Sequence, residues 1–183
     1  PKYEQTSDNV HLATHCLTQL NIINTEQSTN NKFSSVLSMM NRCKSAMGRR
    51  RMKDLILHPS TNVSYLNNEY DIMDYMKEHM SLEIVLEYRK ELNSIRDVEK
   101  LYRKIILNVL KPYELPMIYY TLVSFLKTYN TMSEYKTIKT YLHEKSLDVN
   151  KTSKIIDDIA TIVDLFDKMV IIDNCMEDPK KII

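Results

Sequence analysis

Apolar side chains recur at intervals of three and four residues along most of the chain, and this spacing predicts amphipathic α-helices. The clearest stripes are Val98, Leu101, Tyr102, Ile105, Val109 and Leu110, and then Ile155, Ile156, Ile159, Ile162, Val163 and Phe166. Between them, residues 115–129 leave little polar surface, so we expect that helix to be the most buried one and to form the central post of the fold. The pattern predicts an all-α protein, an irregular multi-helix bundle.

Signals that start and stop helices place the other elements. Helices are predicted over residues 8–24, 36–40, 81–89, 133–143 and 151–169, with a further one beginning after Thr61 or Asn62. Asp97 stands where the stripe that starts at Val98 begins, so we expect its carboxylate to cap that helix. The polar run 25–32 is typical of an exposed loop, and residues 179–183 are expected to fray.

A helix, a polar break and a second helix are predicted between Ser35 and Pro59. Ser45 is expected to cap the second helix, and Pro59 is expected to stop it because proline lacks a donor and disfavours helical geometry in the residue before it. The second helix contains Gly48, the one glycine of the chain. Glycine in a helix interior costs roughly 1 kcal/mol relative to alanine, so its presence suggests that another backbone passes close by. This favours a packing role for Gly48 over a ligand role.

Composition narrows the class of protein. One glycine and five prolines in 183 residues leave too few turn residues for a many-stranded sheet, and a net charge of +1 gives no general attraction to nucleic acid or membrane. Cys16, Cys43 and Cys175 are odd in number and widely spaced, which favours a reducing, intracellular compartment. No apolar run approaches the ~20 residues that a membrane span needs, and no signal peptide is recognisable. The sequence opens PKYEQ without a methionine, so we expect an excised piece of a larger protein.

The residues form no recognisable catalytic or metal site. A phosphate-binding loop has the pattern G-x-x-x-x-G-K-[ST], which a chain with one glycine does not contain. His11 and His15 share a predicted helix face with Cys16 adjacent, but zinc needs three or four converging ligands and no second cluster exists. Asp97 and Glu99 diverge by about 200° around a helix, so they are poorly placed to act on one substrate atom. We therefore expect neither enzymatic activity nor a cofactor in this chain.

Arg49, Arg50 and Arg51, with Lys44 and Lys53 nearby, form the one basic cluster of the sequence. Consecutive helical residues turn by about 100°, so three arginines in a row do not follow one line of phosphates. Arg49, Arg51 and Lys53 are the candidates for contact with a DNA backbone, a contact that weakens as salt rises. The alternative is a plain solvated helix face.

The stretch 35–59 resembles S-L-L-x-L-L-D-x-T-x-T-x-M-G-x-R-L-L-x-x-W-L-x-x-P, the segment that opens the helical core domain of the MutS family of DNA mismatch-repair ATPases. The positions that agree, as identities or close replacements, are Ser35, Val36, Leu37, Met39, Met40, Ser45, Met47, Gly48, Arg50, Met52, Ile56 and Pro59. The departures are Asn41 for Asp, Cys43 for Thr, Arg51 for Leu and Leu55 for Trp. Residues 66–73, 92–101 and 111–115 resemble three later family segments, with Glu69 in place of an arginine.

The resemblance implies that residues 1–183 are a single helical core-domain fragment, about the first half of the core, with the clamp and ATPase domains elsewhere in a parent protein. It implies a non-catalytic part that couples DNA-contacting regions to the ATPase, with Arg50 bracing a neighbouring helix or domain. ATP, Mg, mismatched DNA and a dimeric state belong to that parent. Two alternatives stay open: a stand-alone helical module that binds partner helices through an apolar groove, and a weak DNA-backbone-binding module.

Overall fold

The computed structural model describes residues 9–10, 12–24, 33–145 and 149–169. Its helices are α1 Thr14–Gln19, α2 Val36–Met40, α3 Ala46–Leu57, α4 Val63–His79, α5 Leu82–Ser94, α6 Val98–Ile106, α7 Leu115–Ser133, α8 Lys136–Lys145 and α9 Val149–Met169, and a short 3-10 helix, Pro112–Glu114, precedes α7. No strand occurs within these ranges, and the β-type pairing there is one antiparallel bridge between Asn9 and Ser60. The predicted all-α class is therefore confirmed. The predicted loop 25–32 and the predicted fraying end 179–183 lie outside the described residues.

The described residues fall into two compact units, one ending at Met76 and one beginning at Lys77. In the first unit, backbone hydrogen bonds fix the start of α2 to the turn after α1. Val36 N donates to Asn21 O at 2.9 Å, and Leu37 N donates to Ile22 O at 3.0 Å. Asn21 has a φ of 51°, a left-handed conformation that asparagine tolerates and that ends the helix.

The predicted helix over residues 8–24 is wrong in extent, since α1 covers only Thr14–Gln19. Val10 N donates to Pro59 O at 2.8 Å, and Asn9 bridges to Ser60. A backbone amide that bonds a distant carbonyl is not available for the i to i−4 bond of a helix. The segment at Val10 is therefore held by tertiary contact and not by its own periodicity.

Polar side chains cap the starts of several helices. Ser45 Oγ accepts from Gly48 N at 3.1 Å, and Asn62 Oδ1 accepts from Tyr65 N at 2.9 Å. Asp97 Oδ1 accepts from Lys100 N at 3.3 Å. Each bond satisfies an amide that the first turn of a helix leaves without a partner.

In the second unit, α7 lies against α5, α6, α8, α9 and the 3-10 helix, which is the central position that the sequence predicts for it. It is longer than predicted, because it continues to Ser133 and α8 begins only at Lys136. The buried side chains of α7 are Pro116, Thr121 and Thr128, so two polar residues lie on its most enclosed face. This helix is therefore central, but its buried face is not purely apolar.

Candidate functional site

The loop before α3 is packed tightly against Gly48. A Cβ atom at this position would lie 2.9 Å from Ser45 Oγ and 3.3 Å from Cys43 Cβ. The nearest neighbours of Gly48 are therefore side chains of the preceding loop, and not the passing backbone that we expected from the sequence. Gly48 allows the capping hydroxyl of Ser45 to sit directly over the first turn.

Arg49 also bonds to the loop before α3. Its Nη1 donates to Lys44 O at 2.8 Å, and its own carbonyl accepts from Asn41 Nδ2 at 3.0 Å. The guanidinium therefore has a neutral carbonyl as its partner, which does not offset its charge. Asn41, which replaces the aspartate of the resembling motif, supplies a donor here that an ionised aspartate would lack.

Arg51 is part of a different cluster. Its Nη1 pairs with Asp54 Oδ2 at 2.9 Å, while Asp54 Oδ1 lies 3.0 Å from His58 Nδ1. All three side chains are exposed and line a pocket of about 290 Å³ in the first unit. The carboxylate of Asp54 offsets the charge of Arg51, which makes Arg51 a weaker candidate for a phosphate contact than the sequence suggests.

The predicted trio of DNA-contacting residues is therefore divided between two faces of α3. Arg49 and Lys53, four residues apart, line one groove of the first unit, and Arg51 lines the pocket described above. Arg50 is exposed, and its predicted role as a brace stays a prediction. Contact of Arg49, Arg51 and Lys53 with DNA likewise stays a prediction.

Pro59 follows the end of α3 and links it to the N-terminal segment. The helix ends at Leu57, where His58 N donates to Asp54 O at 2.9 Å, and the carbonyl of Pro59 accepts from Val10 N. Proline at this position stops the helix while its carbonyl remains free to accept a bond. The residue thus both terminates α3 and anchors the segment at Val10.

A largely apolar groove of about 390 Å³ lies in the second unit between α6, α7 and α9. Its lining includes Val98, Tyr102 and Ile105 of α6 and Ile162 of α9, which are 40%, 63%, 47% and 42% exposed. The predicted stripes of α6 and α9 thus meet at this groove, and they leave much of their apolar surface uncovered. Exposed apolar surface of this kind is typical of a site of contact with another element.

The sequence did not reveal the ion pair of Glu114 with Lys104. Glu114 is only 6% exposed, its Oε1 accepts from Lys104 Nζ, and its Oε2 accepts from Lys111 N at 3.1 Å. The hydrogen bond from Lys104, and then the one from the Lys111 amide, lower the pKa of the Glu114 carboxyl below its ordinary value. The sequence did contain one signal for the bond with the Lys111 amide. Pro112 begins the 3-10 helix and the acidic Glu114 stands at its third position, which is the arrangement of a capping box.

Neither a metal cluster nor a membrane helix was found in the part of the chain that the structure describes. Groups of three or more His, Cys, Asp or Glu side chains able to hold a metal ion are absent there. His11, one of the three residues considered for zinc, lies outside the described residues. No described helix is long and apolar enough to cross a membrane.

Comparison with known proteins gives consistent matches. The family model described as MutS domain III matches residues 15–181. The chain is 32% identical to a mutS homolog of Acanthamoeba polyphaga mimivirus over 108 residues, which are 56% of this chain and 9% of that protein. It is 31% identical to the DNA mismatch repair protein MutS of Borreliella burgdorferi over 107 residues, 57% of this chain and 12% of the relative. It is 24% identical to the DNA mismatch repair protein MutS of Borrelia hermsii over 131 residues, 70% of this chain and 15% of the relative. The matched region thus covers between 9% and 15% of the length of these relatives.

Proposed function

The chain belongs to the MutS family, with its match in domain III, and from this premise we propose that it is the helical part of a longer DNA mismatch-repair protein that couples DNA-contacting regions to an ATPase. The chemistry takes place elsewhere in that parent, where ATP and Mg are bound. Mismatched DNA is bound through the parent, which acts as a dimer. The part described by this chain supplies mechanical connection and no catalytic group.

The bonding of α7 in the second unit is the observation that carries this proposal. Tyr119 donates to Asp167 Oδ1 of α9 at 2.7 Å, and Tyr129 OH lies 3.0 Å from His143 Nε2 of α8. Toward α5, Lys127 Nζ lies 2.5 Å from Glu91 Oε1, and Ser94 Oγ donates to Ser124 Oγ at 2.9 Å. These contacts tie one helix to three neighbours.

The bonds are distributed along α7 and are not gathered at one end. From Tyr119 to Tyr129 the helix rises by about 15 Å, at 1.5 Å per residue. A helix held at several heights resists both tilting and sliding against its neighbours, because packed interiors deform little. Rigid elements of this kind can carry movement between distant sites.

The test uses the full-length parent protein, with mismatch-stimulated ATP hydrolysis and affinity for mismatched DNA measured side by side. The variant carries Tyr119→Phe and Lys127→Met, which remove the bond of α7 to Asp167 of α9 and its ion pair with Glu91 of α5 while keeping most of the side-chain bulk. We expect a severalfold loss of stimulation with DNA affinity unchanged. Lys139→Met, an exposed lysine of α8, is the matched control. Unchanged stimulation in the double variant, or an equal loss of DNA affinity, contradicts the coupling role.

A second candidate is a stand-alone helical module that binds partner helices, and the apolar groove between α6, α7 and α9 favours it. The variant Ile105→Lys separates the two proposals. Ile105 is 47% exposed, so the substitution has little effect on the thermal stability of this chain alone. If the groove is covered by other parts of a parent protein, the same substitution lowers the melting temperature of the full-length protein. If the module stands alone, the substitution weakens partner binding and leaves the melting temperature of the module itself unchanged.

A further inference from the structure

A second groove, of about 520 Å³, lies in the first unit between α3 and the segment that contains α1 and α2. Four half-buried apolar residues line it: Leu17, Ile23, Leu37 and Leu57. The wall opposite α3 is fixed by the backbone bonds that join the start of α2 to the turn after α1. The groove is therefore a formed feature of the fold, with an apolar lining that is not fully covered.

The α3 side of this groove carries two positive charges. Arg49, Lys53 and Leu57 follow one another at intervals of four residues, so they share one face of the helix. Arg49 and Lys53 are both exposed, and the hydrogen-bond partner of the Arg49 guanidinium is the neutral carbonyl of Lys44. Lys53 Nζ has no ion-pair partner in the described residues, and no Asp or Glu is among the described residues that line the groove. Among the residues that the structure describes, the two charges thus have no counter-charge at this site.

The combination of charge and apolar lining favours a peptide over nucleic acid. A DNA backbone supplies phosphates but little apolar surface, so it would leave most of the surface of the four apolar side chains in contact with water. An amphipathic helix supplies both kinds of group, since its apolar face fills a groove and its charges lie along the edge. Two carboxylates four residues apart on such a helix are about 6 Å apart along its axis, which equals the axial spacing of Arg49 and Lys53.

We propose that this groove binds an acidic amphipathic helix of a protein partner. The partner's carboxylates pair with Arg49 and Lys53, and its leucine-like side chains cover Leu17, Leu37 and Leu57. The charges select the partner and speed its approach, while the apolar contact retains it. This proposal is independent of the coupling role, which rests on the second unit.

The test is fluorescence anisotropy of the full chain with a labelled helical peptide whose leucines lie along one face and whose glutamates flank them four residues apart. We expect saturable binding that Lys53→Glu weakens at least tenfold, whereas Lys53→Arg retains it. Lys44→Glu is the matched control, because it makes the same change of charge in the same unit on a side chain outside the groove lining. Melting curves followed by circular dichroism check that each variant is folded like the unmodified chain.

Four results overturn the proposal. The first is absence of saturable binding of the peptide to the unmodified chain. The second is an equal effect of Lys44→Glu and Lys53→Glu, which means that only net charge matters. The third is undiminished binding of a peptide in which serines replace the leucines, since the apolar lining then plays no part. The fourth is a duplex DNA oligonucleotide that displaces the peptide and binds with the same dependence on Lys53, which identifies the groove as a nucleic-acid contact.

Discussion

Replacement of Thr121 by valine tests whether one buried hydrogen bond holds the junction of α5 and α6 against α7. Thr121 is 2% exposed, and its Oγ1 accepts from Arg96 N at 3.2 Å. Arg96 lies between the end of α5 and the start of α6, so its amide has no helical partner to replace the threonine. Valine has nearly the shape of threonine, and the substitution therefore removes the acceptor with little change in packing.

The magnitude follows from the donor that is left without a partner. Removing one partner of a buried hydrogen bond costs about 1–3 kcal/mol, because the other group stays desolvated. The bond of Thr121 with Arg96 N is partly buried, so we expect the lower half of that range, about 1–2 kcal/mol of unfolding free energy. For a chain of this size, 1 kcal/mol shifts the melting temperature by roughly 2–4 °C.

Thr128→Val provides a control on the same face of the same helix. Thr128 is 7% exposed, and its Oγ1 donates to Ser124 O at 2.8 Å. That carbonyl also accepts the regular backbone bond of the helix, so loss of the hydroxyl leaves no group unpaired. We expect a change within about 0.5 kcal/mol for Thr128→Val.

The assay is urea unfolding of both variants and the unmodified chain, combined with hydrogen exchange at the Arg96 amide. We expect faster exchange at the Arg96 amide in Thr121→Val and an unchanged rate there in Thr128→Val. Equal destabilisation by the two substitutions refutes the role of the bond between Thr121 and Arg96, because loss of a hydroxyl from α7 would then matter irrespective of its partner. That role is also refuted if Thr121→Val loses stability while the exchange rate of the Arg96 amide stays unchanged.

Three further predictions concern other contacts. Gly48→Ala gains helix propensity but displaces the capping hydroxyl of Ser45, so we expect almost no net change in the free energy of unfolding. In a Ser45→Ala background, where that hydroxyl is absent, the same substitution should stabilise the fold by about 1 kcal/mol. Urea unfolding measures both effects, and equal effects in the two backgrounds would contradict the contact between position 48 and Ser45. The pKa of Glu114 is lowered on folding, so its ion pair with Lys104 stabilises the fold above the ordinary value of 4.5 and is lost as pH falls through the folded pKa. The melting temperatures of Glu114→Gln and the unmodified chain should therefore converge in acid, and a constant difference contradicts this. Tyr119→Phe removes a bond to a carboxylate of α9 and should cost about 1 kcal/mol, with faster amide exchange in α9; unchanged exchange there opposes it.

Local chemistry predicted the helix boundaries best where a capping or stopping residue was present. Ser45 and Pro59 bracket α3, and Asp97 begins α6 as expected. The segment at Val10 was predicted wrongly because its spacing fits a helix, whereas its amide is taken by a carbonyl 49 positions further along the chain, at Pro59. Periodicity reports which side of a segment prefers burial, but it contains no information about a distant partner.

The candidate sites show the same division between local and distant information. We predicted Arg49, Arg51 and Lys53 together as DNA contacts, whereas the structure puts Arg51 on a different face of α3 from the other two. Helical spacing already contained this division, since residues two apart diverge by about 200°. The burial of Glu114 could not be read in the same way, since it requires Lys104 of α6 to reach the 3-10 helix across ten positions of sequence. A charged residue is usually exposed, so a sequence pattern assigns it to the surface until its partner is known.

The two grooves differ in what each contributes to association. Tyr102, Ile105 and Ile162 are about half exposed, and fully burying an apolar side chain of this size gains about 1.5–3 kcal/mol, so covering all three gains about 3 kcal/mol. This gain does not depend on the direction or identity of the covering element, because the hydrophobic effect is non-directional. The apolar residues of the groove in the first unit are already half-buried, so covering them gains less. This groove carries the positive charges of Arg49 and Lys53, and charge determines which partner approaches and in which register. A substitution in the apolar groove should therefore change how tightly a covering element is held. A charge reversal at Lys53 should instead change which element is accepted, which is why the two variants belong in the same set of experiments.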